Sequence, residues 1–139
     1  MKKRRKSREI AIQILYNFHS NNQAVDDIVN EEFFEKYSDN SKKYAKILAE
    51  SVIANIQELT DVIKQYSKNW NIKRIAAIDK IILQIAIYEM KNMDDVPAVV
   101  AIDEALELAK KFSTKDSSKF INGILDQYRK TLSGMNENS

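Results

Sequence analysis

No cysteine occurs among the 139 residues, which excludes a disulfide framework and a thiolate metal site. Two glycines and a single proline supply too few turn-forming residues for an all-β fold. The one histidine, His19, has no neighbour in the sequence that suggests a ligand set, and reads as a solvent-facing residue near a helix end. HExxH, a phosphate-binding glycine loop and a nucleophile elbow are all missing. Neither catalytic residues nor a metal or cofactor are expected. Asp103, Glu104 and Glu107 resemble a carboxylate cluster, but Asp103–Glu107 and Glu107–Lys111 are i,i+4 neighbours, the pattern of a solvated charged face.

Long apolar runs are also lacking, and none reaches the length that spans a bilayer. The basic start followed by "IAIQILYNF" has the outline of a secretory signal. Gln13, Asn17 and His19 interrupt it, however, and no small-residue cleavage site follows. Glu9 and the scarcity of serine speak against a transit peptide. The expectation is a cytoplasmic protein without membrane contact.

What is present is helical periodicity. The length suits one domain, and the elements follow in order. A first helix is expected over about 4–19, with Ala11, Ile14, Leu15 and Phe18 on one stripe. A second covers about 24–37. A long third, about 41–66, repeats Ala45, Leu48, Val52, Ile56, Leu59, Ile63 and Tyr66 at steps of three and four. "IAAIDKIILQIAIYEM" follows at 75–90, "DDVP" breaks the chain before Pro97, and "AVVAIDEALELAKKF" and "DSSKFINGILDQYRKTL" complete the set. The fold class is all-α, a single compact helical domain. Residues 1–8 form a basic arm running into the first helix, 9–130 the helical body, and 131–139 a flexible tail.

Charge is distributed unevenly. Lys2, Lys3, Arg4, Arg5, Lys6 and Arg8 place six cations in seven positions. The remainder holds 16 basic against 20 acidic residues, so a net of +2 conceals a basic arm on a body of −4. Such an arm attracts a polyanion. At about 100° per residue, Tyr16 lies roughly 150° from the centre of the apolar stripe. Arg5 falls within about 20° of it, with Ile12 and Glu9 near and Arg8 at the edge. Two readings stand. Tyr16 packs against another helix under arginine stems, or it offers a stacking surface beside phosphate-binding cations, as a single-stranded nucleic acid requires.

A second position raises the same alternative. Phe120, Ile121, Ile124, Leu125 and Tyr128 share one helical face, which puts Gly123 inside a helix at a cost of about 1 kcal/mol relative to alanine. Either close helix packing requires the glycine, or it opens room beside Phe120 for a base. Asp116, next to that edge, is also a candidate helix N-cap. In 75–91, Leu83, Ile87 and Met90 form a second apolar strip headed by Asp79. A helix apolar on two sides is central in its bundle or covered by another protein.

"RRKSREIAIQILY", "IAIYEM", "DVPAVVAIDEALELAKKF" and "DSSKFINGILD" together resemble the NusB family of transcription antitermination factors, collinearly from about residue 3 to 126. The resemblance implies two packed helical subbundles. It implies binding of boxA in nascent ribosomal RNA together with the ribosomal small-subunit protein NusE, within the antitermination complex of RNA polymerase. Its RNA-contacting positions fall on Lys3, Arg4, Arg5, Lys6, Arg8 and Tyr16, and on Asp116, Lys119, Phe120 and Asn122. An acidic NusE contact falls on Asp79, with Leu83 and Ile87 beside it. Ser118 stands where some relatives carry histidine, and Ala98 follows Pro97 where bulkier residues occur.

Rival classes are a self-associating helical scaffold and a ribosomal RNA-processing accessory protein with a non-specific arm. Monomer and homodimer both fit the sequence. The front of certain ribosomal RNA cytosine methyltransferases is similar, but this chain has no catalytic cysteine. Double-stranded DNA binding is disfavoured, since the arginine-bearing helix also supplies core residues and no turn sets a second helix into a groove.

Overall fold

Residues 4–67 and 75–137 are described by the structure, a computed structural model. Among them are seven α-helices, one 3-10 turn and no strand. They divide into two compact units, residues 1–55 and 56–139.

In the first unit, α1 (Arg5–Asn21) packs chiefly on α3 (Asp39–Ala54), and the short α2 (Val25–Val29) touches both. The expected stripe is buried at Ala11, Ile14 and Leu15, as are Ala45, Leu48, Ala49 and Val52 of α3. Each large apolar side chain so buried contributes about 1.5–3 kcal/mol. α1 ends at Asn22, whose φ of 55° is a left-handed cap that asparagine tolerates. Ser38 caps α3 by accepting from the Ser41 amide at 3.1 Å. Ser7 Oγ donates to the Ser41 carbonyl at 3.0 Å, fastening the start of α1 to the start of α3.

The expected second helix is shorter than its pattern. It stops at Asn30 and gives way to a 3-10 turn at Glu32–Phe34. The expected long third helix is two. Asn55 breaks it with φ −113° and ψ 18°, while its side-chain amide donates to the Ser51 carbonyl at 2.8 Å. That bond is the local competition by which asparagine ends helices, and the boundary between the units falls there.

In the second unit, α5 (Ala77–Asn92) packs on α4 (Ile56–Tyr66), α6 (Ala98–Phe112) and α7 (Lys115–Glu137). Seven consecutive residues of α5, 81–87, are buried, which is what a central helix requires. Pro97 occupies the N-cap of α6, one position before the first helical residue. α7 runs past the expected start of the tail at 131. Tyr66 donates to Thr131 Oγ1 at 2.7 Å, and its ring meets Tyr128 edge-on at 6.0 Å, so this stretch is held to α4. Burial, with Tyr66 nearby, raises the Tyr128 phenol above its ordinary pKa.

Candidate nucleic-acid interface

The first unit carries the basic arm and Tyr16. Lys3 lies outside the described residues. Arg4 places its guanidinium over the Tyr44 ring of α3, 4.7 Å from the centroid. A cation seated on a ring in this way keeps its charge while losing conformational freedom. Arg5 is half-buried, and Lys6 is exposed with its ammonium 3.7 Å from the Glu9 carboxylate. Tyr16 is 43% exposed, the only aromatic residue among the exposed large hydrophobics of the described residues.

Arg8 departs from the expectation. It is 1% exposed, so it is a core residue and not a surface cation. On the helix wheel it stands within about 40° of both Leu15 and Ile12, and both of these are buried. Ile12 and Glu9, expected near the outward face, are buried too. Residues 7–12 of α1 are enclosed on every side, which leaves Lys6 and Tyr16 as outward positions one helix stretch apart.

The second unit carries the other patch at the start of α7. Thr114, and not Asp116, caps this helix, its hydroxyl accepting from the Ser117 amide at 3.2 Å. Asp116 is thereby relieved of the capping role and is exposed, as are Lys119, Asn122 and Gly123, while Phe120 is half-buried. On the wheel, Asp116, Lys119, Phe120 and Gly123 share one flank of α7, and Asn122 lies farther round.

Beneath this flank, Asp79 of α5 is 5% exposed. Ser117 Oγ donates to Asp79 Oδ2 at 2.7 Å and accepts from Ser113 Oγ at 2.9 Å. Asp79 thus fastens α7 to α5 through Oδ2 from a nearly buried position, while its Oδ1 is buried without a hydrogen-bond partner. Leu83 and Ile87 are likewise fully buried, each 0% exposed. Leu83 and Ile87 of the second apolar strip belong to the core, because α5 is central in its unit, while Met90 is half-exposed. Glu104, expected on a solvated face, is buried as well, whereas Glu107 pairs with Lys110 at 3.4 Å.

The serine cluster was not visible in the sequence. Ser117 and Asp79 are 38 residues apart, and no local pattern joins them. Tyr44 as the seat of Arg4 is another contact that only tertiary structure reveals. Removing a hydrogen bond to a buried carboxylate costs about 1.5–3 kcal/mol. Ser117→Ala is expected to lower unfolding free energy by that amount in denaturant titration. A change below about 0.5 kcal/mol, the range of neutral surface substitutions, would mean the fastening contributes nothing.

No group of three His, Cys, Asp or Glu among the described residues is placed to hold a metal ion. None of their helices is long and apolar enough to cross a membrane.

Comparison with known proteins gives one result throughout. The model of the NusB family matches residues 5–130. A transcription antitermination protein NusB from Thermodesulfovibrio yellowstonii is 40% identical over 139 residues, covering 92% of each chain. Another, from Chloroherpeton thalassium, is 42% identical over 127 residues, covering 88% of this chain and 59% of that protein. This chain thus spans less than two thirds of the second relative's length. In fold, it matches a chain in a crystal structure of the antitermination factors NusB and NusE in complex with dsRNA. The TM-score is 0.81 at 21% identity, covering 94% of this chain and 98% of that one.

Proposed function

Because the chain belongs to the NusB family, we propose that it is an RNA-binding transcription antitermination factor. In this reading it engages boxA of nascent ribosomal RNA together with NusE and modulates termination by RNA polymerase in the cytoplasm. The observation that carries the reading is Tyr16, a large ring left 43% exposed on the helix that the basic arm begins. An exposed ring gives a base a stacking face, and the arginine and lysine side chains give its phosphates counter-charge. Phe120 with Lys119 repeats that chemistry in the second unit. The proposed RNA-contacting set is Lys3, Arg4, Arg5, Lys6, Tyr16, Asp116, Lys119, Phe120 and Asn122.

Support for a NusE partner comes from the NusB–NusE complex whose NusB chain shares this fold. An acidic body also complements a basic ribosomal protein electrostatically. Leu83 and Ile87 lie wholly inside the fold, and Asp79, nearly so, keeps one carboxylate oxygen without a hydrogen-bond partner.

Stacking of one base contributes on the order of 1–3 kcal/mol. Tyr16→Ala is therefore expected to weaken binding of a boxA RNA by about 5-fold to 150-fold. The thermal midpoint should stay close to wild type, since the ring is not in the core. Wild-type RNA affinity in a folded Tyr16→Ala protein would remove the ring from the interface.

A further inference from the structure

Gly123 lies in the interior of α7, among the least favourable helix residues after proline. Two reasons for keeping a glycine in a helix are absent. Its backbone does not adopt a positive φ, so any L-residue fits the conformation. Beyond the neighbouring backbone of α7 itself, a Cβ at this position would meet no atom within 4 Å, so close packing against another element, expected as one alternative from the sequence, does not require the glycine. The position is exposed. What remains is the outside.

Gly123 follows Phe120 by three residues and Lys119 by four, and precedes Gln127 by four, so these side chains flank it on one ridge of the helix. The missing side chain makes a gap one turn long in that ridge, where bare helix backbone is reachable beside a half-exposed ring. A ring wall, a cation and an unobstructed floor suit a nucleotide whose base lies on Phe120, whose phosphate meets Lys119 and whose sugar or base edge needs room.

We propose that Gly123 is a contact position for RNA, kept without a side chain so that a nucleotide can approach the α7 backbone beside Phe120. The inference rests on the RNA-binding reading above and goes beyond it by giving the glycine a role.

The test compares wild type with Gly123→Ala and Gly123→Gln, using boxA RNA and, separately, NusE. Both variants improve helix propensity in open space, so their thermal midpoints should equal or exceed wild type, by about 2–4 °C for alanine. RNA affinity should fall by about threefold to tenfold for alanine and further for glutamine, a graded loss without loss of stability. Wild-type RNA affinity in both variants would overturn the inference while leaving the RNA-binding reading intact. Loss of NusE affinity alone would assign the gap to protein and equally overturn it. Failure of the wild-type chain to bind RNA would remove both readings.

Discussion

Deleting residues 2–6 is expected to weaken RNA binding about 100-fold at 0.1 M salt and hardly at all at 1 M. Each neutralised phosphate of a single strand contributes about 0.7 to the log–log salt slope. Five cations are removed, Lys2, Lys3, Arg4, Arg5 and Lys6. If about three of them meet phosphates, the slope flattens by about two units, which is about two decades of affinity one decade below 1 M. Arg4 starts with an advantage, because its seat over Tyr44 holds it near the helix before RNA arrives. Fluorescence anisotropy at a series of salt concentrations reads both quantities. An unchanged slope would show the arm to be a solvated tail.

Arg8 belongs to the same basic run but should behave as a folding residue. Its side chain is fully enclosed and engaged by its surroundings. Truncating a large, fully buried side chain leaves a cavity and typically costs about 2–5 kcal/mol. Arg8→Ala is therefore expected to lower the thermal midpoint on the order of 10 °C. The protein that remains folded should bind RNA with nearly wild-type salt slope. Arg5→Ala, at a half-buried position, should cost less stability than Arg8→Ala while flattening the slope by about 0.7. Calorimetric melts and salt titrations of the two variants separate them. Loss of RNA affinity at an unchanged midpoint for Arg8→Ala would return this arginine to the surface.

The contrast between these two arginines marks how far a sequence can be read. Periodicity located α1 and turned Tyr16 outward, because a stripe at helical spacing identifies one buried face. It does not report how many neighbours surround a helix. Residues 7–12 are enclosed all round, so Arg8, placed at an edge by the wheel, turns inward. In α5 the two apolar sides were legible, and the choice between a central helix and a docking helix was not. That choice depends on which elements pack on α5, and three do. α6 was read with its observed bounds, 98–112, because Pro97 stands directly before it. The break at Asn55 escaped notice since the apolar stripe continues through Val52, Ile56 and Leu59. Asparagine is tolerated in helices until its side chain finds a carbonyl, here that of Ser51. Gly123 was legible as an anomaly, and only coordinates could remove the packing explanation.

Photocrosslinking tests the central claim most directly, because it locates the RNA on the wild-type chain without any substitution in it. A boxA RNA carrying 4-thiouridine, irradiated with the wild-type protein and mapped by mass spectrometry, should yield adducts at Tyr16 and at Phe120. A scrambled RNA should compete poorly for both, and duplex DNA should not compete. Adducts at neither ring, found instead at other exposed residues such as Gln57, Lys64 and Gln65 of α4, would contradict the account.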